Sequence, residues 1–145
     1  MYTMKAFGSK SYKEVALRLT NSDVRPLTHR VTIYHYLLTH LTHPTVDNIY
    51  SDLVQTMPSL SKTTVYNVLD LLCEKGLVKQ LTIEGNEARY DADMEEHMHF
   101  KCSECKTVFD LKDVPFPSIE LPSGLVIEHI QLNIEGKCSA CAKAC

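Results

Sequence analysis

Two pairs of cysteines at C-x-x-C spacing, Cys102 with Cys105 and Cys138 with Cys141, constrain this chain more than any other feature. Each pair can bring two thiolates to one tetrahedral ion across a turn, with zinc–sulfur bonds of about 2.3 Å. Two disulfides, or two redox pairs of thioredoxin type, are the competing readings. Disulfides need an oxidising compartment, and no signal peptide or membrane-spanning run suggests one. A redox C-x-x-C should open a helix, whereas Cys102 follows an expected strand and Cys105 precedes another, Thr107 to Leu111. The expected outcome is one structural zinc on Cys102, Cys105, Cys138 and Cys141, stapling a small C-terminal domain with little core of its own. Just ahead of the first pair stand His97 and His99. Two apart on a strand, they share a face, so a second metal site should meet the first at one strand. Of the remaining cysteines, Cys73 reads as a small buried apolar residue and Cys145 as a frayed terminal thiol.

The chain has 145 residues, 44% of them hydrophobic, enough for one domain or two small ones. A formal net charge of −3 would by itself argue against a nucleic-acid partner. The charge is uneven, however. Residues 1–90 carry ten Lys/Arg against eight Asp/Glu, and residues 91–145 carry five against ten, so a mildly basic front precedes an acidic rear. No apolar run is long enough to span a bilayer, and the expectation is a soluble, cytoplasmic protein without a membrane partner.

The front half reads as helical. Ser11 to Thr20 places Tyr12, Val15, Ala16 and Leu19 on one face, with Ser11 and Glu14 spaced as a capping box. Thr28 to Leu41 repeats the pattern with Val31, Tyr34, Leu37 and Leu38, and His43-Pro44 should end it as an extended dipeptide. Thr45 caps a third helix to Met57, bearing Val46, Ile49, Tyr50, Leu53 and Val54. A fourth, Ser61 to Lys75, is stopped by Gly76 and buries Val65, Val68, Leu69 and Leu72. Its early outer side shows Ser61, Lys62, Thr63, Thr64, Tyr66 and Asn67. Two helices joined by a turn, the second opening with small polar and basic residues, is how a helix-turn-helix meets a major groove. A solvated face that binds nothing is the bland alternative. Strands from Leu77 to Ile83 and Glu87 to Tyr90, around a turn at Glu84-Gly85-Asn86, follow as a wing.

The expected architecture is therefore α+β. A winged helix-turn-helix domain (1–91) is followed by a hinge (92–96) and a small β-rich, zinc-stapled domain (97–145) for metal binding and dimerisation. Pro115, Pro117 and Pro122 exclude a long helix from Asp113 to Ser123. Gly124 to Ile134 should supply a last strand through Leu125, Ile127, Ile130, Leu132 and Ile134.

Winged helix, hinge, H-x-H-x-x-C-x-x-C and terminal C-x-x-C, in this order, resemble the ferric uptake regulator family of metal-dependent repressors. Further segments agree. Arg25-Pro26-Leu27-Thr28-His29-Arg30 resembles the family's arginine–threonine–arginine start, and adds Arg25 to the DNA-contacting residues. His43-Pro44-Thr45, Ser61-Lys62-Thr63-Thr64-Val65-Tyr66 and Glu74-Lys75-Gly76-Leu77-Val78 follow in sequence. The resemblance implies a homodimer that holds a structural zinc, and represses from a double-stranded, inverted-repeat operator when a regulatory metal closes the hinge. It also implies the regulatory ligands: His43, Asp91, His97, His99 and Asp110, each at a ligand position of the peroxide-sensing branch. That branch resembles this chain more than the iron-sensing branch, in which Glu is usual at the position of Asp110. Three imidazoles and two carboxylates suit ferrous iron or manganese. In the peroxide-sensing branch the oxidation falls on His43 or His97.

Two departures stand out. The segment Asp113 to Ser123 is shorter and richer in proline than the family's, although Val126 to Ile134 could still pair across a dimer. His129 matches a position of a second metal site in iron regulators whose other ligands are not apparent. Two alternatives stay open: a sensor of iron or zinc supply with the same architecture, and a zinc hydrolase using His97 and His99. The hydrolase lacks an H-E-x-x-H helix and a general base, and no enzymatic activity is expected.

Overall fold

Helix ends in this protein are written locally. In the computed structural model, which describes residues 10–84, 87–128 and 130–143, α1 spans Tyr12–Asn21. Ser11 and Glu14 cap it reciprocally, the Glu14 amide donating to Ser11 Oγ and the Ser11 amide to Glu14 Oε2. Helix α2 covers Thr28–Thr39, and α3, Val46–Leu53, begins at a second capping box of Thr45 with Asn48. Helix α4, Lys62–Glu74, is capped by Ser61 and stopped at Gly76, whose φ of +68° needs no side chain. Strands β1 (Lys79–Glu84) and β2 (Glu87–Asp91) pair antiparallel as the wing. Residues Gly85, Asn86, His129 and Cys145, and the lead Met1–Ser9, lie outside the described residues.

The chain divides into two compact units, Met1–Met94 and Glu95–Cys145. In the first, Val15, Leu19, Ile33, Leu37, Ile49, Val65, Leu69 and Leu72 form the centre of the core. Tyr12, expected to face that core, is 55% exposed and stacks instead on His35. Helix α2 buries Ile33 and Tyr36 besides the expected stripe, because its apolar residues run around more than one side. The Tyr36 hydroxyl ties α2 to α3 by donating to Asp52 Oδ2 at 2.5 Å.

The second unit is a three-stranded sheet in the order β4-β3-β5, formed by Val108–Leu111, Met98–Cys102 and Asn133–Gly136, with a last short helix, α5, at Ser139–Ala142. Strands β3 and β4 are an antiparallel hairpin; β5 returns parallel to β3. The expected strand from Gly124 to Ile134 forms only from Asn133. Leu125 is 62% and Val126 85% exposed, because an apolar alternation becomes a strand only where a sheet edge accepts its backbone. Among the described residues no helix is long and apolar enough to cross a membrane.

Candidate metal centres

The cysteine cluster is assembled by the sheet. Cys102 closes β3, and its amide donates to the Thr107 carbonyl while its carbonyl accepts from Lys106, a tight knuckle that holds Lys106 at φ +62°. The parallel strand β5 then delivers Cys138 alongside: Ser103 donates to the Gly136 carbonyl through both its amide (2.7 Å) and its hydroxyl (3.2 Å). Cys138 stands at the N-terminus of α5, which turns Cys141 back toward the other three. The four Sγ atoms lie within 4.8 Å of one another, Cys105 and Cys138 at 3.9 Å. Four sulfurs bonded to one zinc at about 2.3 Å would be separated by roughly 3.8 Å. None of the four is in a disulfide.

Electrostatics favour the same reading. The amide of Cys138, with that of Cys105, donates toward Cys102 Sγ and draws its thiol down to about 6. The neighbouring sulfurs, Cys138 first, push Cys141 up to about 12. Four adjacent thiols resist joint ionisation unless a cation stands among them. The donor set fits zinc.

A second set of ligating groups comes from the same hairpin. His97 precedes β3, His99 lies within it, and Asp110 is the residue of β4 in register with His99. Their Nε2 atoms stand 3.2 and 3.6 Å from Asp110 Oδ1, and both imidazoles are buried. His97 Nδ1 lies 2.7 Å from the Glu95 carbonyl. A carbonyl only accepts, so Nδ1 carries the proton and Nε2 presents its lone pair, as in a ligating histidine whose other ring nitrogen donates to a carbonyl.

His43 and Asp91 form a comparable pair in the first unit, with Nε2 3.4 Å from Oδ2. Both are buried, at 2% and 4% exposure. His43 does not extend before Pro44 as expected: its φ is +52°, in the left-handed region that few residues other than glycine adopt. Asp91 Oδ1 accepts the Asp93 amide at 2.8 Å, which directs Oδ2 to His43. Separations of 3.2–3.6 Å are mostly long for hydrogen bonds, yet they match donor atoms about 2.1 Å from a shared ion, roughly 3.0–3.5 Å apart.

The residues expected to meet DNA are mostly in the open. Lys62, Thr63, Tyr66 and Asn67 are exposed along the first turns of α4, and Arg25 is exposed in the loop before α2. Ser61 and Thr64 are engaged in the cap, their hydroxyls 2.9 Å apart. Lys62 is held by Asp47 Oδ1 at 2.8 Å, which the sequence did not single out, and lies 5.7 Å from the ring of Tyr50, expected only as a core residue. Asp47 reads simply as a first-turn helix acid. Nothing local places it beside Lys62. Asp93, within the expected hinge 92–96, is buried.

The family profile described as "Ferric uptake regulator family" matches residues 21–135. The chain is similar to the peroxide operon regulator of Bacillus subtilis, 34% identical over 90% of this chain and 93% of that protein. To the peroxide-responsive repressor PerR of Staphylococcus aureus it is 31% identical, over 89% and 90% respectively. Its fold is like that of the ferric uptake regulator of Helicobacter pylori, with a TM-score of 0.68 at 17% identity, covering 92% of this chain and 95% of that one. With the profile match spanning most of its length, the chain belongs to the ferric uptake regulator (Fur) family of metal-dependent transcriptional repressors, proteins that bind DNA operators as dimers and are not enzymes.

Proposed function

We propose that this protein is a cytoplasmic, homodimeric repressor that reports peroxide through one regulatory ion held by His43, Asp91, His97, His99 and Asp110. The carrying observation is the donor set itself: three buried imidazoles and two carboxylates, with donor atoms at ligand-like spacings inside each unit. A borderline nitrogen–oxygen set suits ferrous iron or manganese better than a soft-metal site would. Identity above 30% to two peroxide-responsive regulators supports the same reading.

The chain's own groups then have definite tasks. Asp93 and Glu95 orient Asp91 and His97 through backbone contacts. Ferrous iron held by these five residues would supply the electrons that turn peroxide into an oxidant beside them. His43 and His97 are the groups that take up oxygen. An oxidised imidazole is a poorer ligand, so the ion is held less tightly and DNA is released. The structural zinc belongs to Cys102, Cys105, Cys138 and Cys141, which keep the dimerising unit folded in both states. Exposed Phe109, Val114, Leu121, Val126, Ile127 and Ile134 give that unit an apolar surface suited to a second copy. In a dimer, two copies of α4 enter successive major-groove faces of an inverted repeat.

The test is DNA binding under controlled metal. Zinc-replete protein should bind an AT-rich inverted repeat with manganese and lose it with a chelator, and His97→Ala should abolish the metal dependence. Equal binding with and without manganese would reject the proposal.

A further inference from the structure

The left-handed backbone at His43 is held open by something, and the contacts around it name the residue. Arg89 lies on the wing strand β2, two residues before Asp91, so both point from the same face of that strand. The Arg89 guanidinium donates from Nη1 to the His43 carbonyl at 3.1 Å. The Asp91 carboxylate meets the His43 imidazole at 3.4 Å. One strand face therefore grips His43 at its backbone and at its side chain. Two further contacts extend the grip into a short ladder: the Tyr90 amide donates to the Pro44 carbonyl at 3.0 Å, and Thr45 bridges Arg89.

We propose that Arg89 is a positioning residue of the regulatory site. Resting on the reading of His43 as a ligand, the proposal adds that its guanidinium holds the strained peptide at His43 so that the imidazole reaches Asp91. A pre-proline residue prefers extended backbone. Without the clamp, residue 43 relaxes toward that region and carries Nε2 away from Asp91. Pro44, already inside the ladder, limits how the loop can compensate.

The experiment measures manganese affinity by equilibrium dialysis on zinc-replete, full-length protein. Wild type, His43→Ala, Arg89→Ala and Arg89→Lys are compared, with a thermal melt of each. Losing a group that orients a metal ligand typically weakens metal binding about 10–100-fold, and that range is expected for Arg89→Ala at an unchanged melting temperature. Arg89→Lys, which keeps a cationic donor, should recover part of the loss. Wild-type affinity in Arg89→Ala beside weakened His43→Ala would overturn the proposal and leave the ligand reading standing. Unchanged affinity in His43→Ala would instead remove the ligand reading itself, and the proposal with it. Equal weakening in both arginine variants with a lowered melting temperature would assign Arg89 to hairpin stability and also overturn it.

Discussion

His99 and Asp110 face each other across the β3–β4 register, His99 Nε2 3.6 Å from Asp110 Oδ1, with His97 on the same side at 3.2 Å. Three of the five proposed ligands thus come from one hairpin, and that hairpin ends at the cysteine knuckle. Strand β3, which sets their spacing against β4, also pairs parallel with β5 and so brings Cys102 to Cys138.

Asp110→Asn keeps the shape of this cluster and removes its charge. Manganese affinity should fall by an order of magnitude or more, because an amide is a much weaker ligand for a hard cation than a carboxylate. Zinc content, measured on the same samples, should remain at one per chain. Loss of zinc alongside manganese would mean that the substitution had disturbed the hairpin rather than the site.

Cys102→Ser should remove that zinc and dissociate the dimer. Structural zinc contributes folding free energy on the order of 10 kcal/mol in small domains, and the sheet of the second unit has few buried apolar residues, Met98 and Cys102 among them. Elemental analysis with analytical ultracentrifugation reads both effects. A zinc-replete dimer of the variant would contradict the assignment.

On the DNA face, Lys62→Ala should weaken binding to operator and non-operator sequences alike and lower the salt slope by about 1, as losing one phosphate contact does. Tyr66→Ala should instead reduce discrimination between sequences, through loss of a packed ring on a thymine methyl. Fluorescence anisotropy at several salt concentrations separates the two. The exposed face of α4 becomes acidic at Asp70 and Glu74, so contacts should be confined to its first two turns.

Local chemistry accounts for what the sequence disclosed. Ser11 with Glu14, Thr45, Ser61 and Gly76 mark helix ends within four residues of themselves, and each marks one in the structure. The two C-x-x-C pairs were legible as one cluster because four thiolates at that spacing have few other uses. Contacts between distant segments were not legible. The parallel pairing of β5 with β3, the Arg89 clamp on His43 and the Asp47–Lys62 pair all depend on where the chain returns. The exposed run at Leu125–Ile127 failed as a strand for the same reason: its apolar alternation was visible, and the edge it needed was not.

The Tyr36–Asp52 link gives a stability prediction with a definite pH dependence. Burial first, and then the Asp52 carboxylate, hold the Tyr36 hydroxyl well above its usual range. A folded value raised above the unfolded one means that this contribution is complete below about pH 10 and is lost as pH rises beyond it. Tyr36→Phe should cost about 1.5–2 kcal/mol at neutral pH, the lower part of the range for hydrogen bonds to a charged group because Asp52 is exposed. Urea unfolding should show the gap between the two proteins narrowing above about pH 10.

Peptide mass spectrometry after mild peroxide, run beside a DNA-binding assay on iron- and manganese-loaded protein, tests the central claim most directly. The account predicts one added oxygen on His43 or His97 in the iron form, in step with release from DNA, and neither change in the manganese form. Oxidation confined to cysteines, or DNA release with both histidines intact, would contradict it and favour a sensor of metal supply.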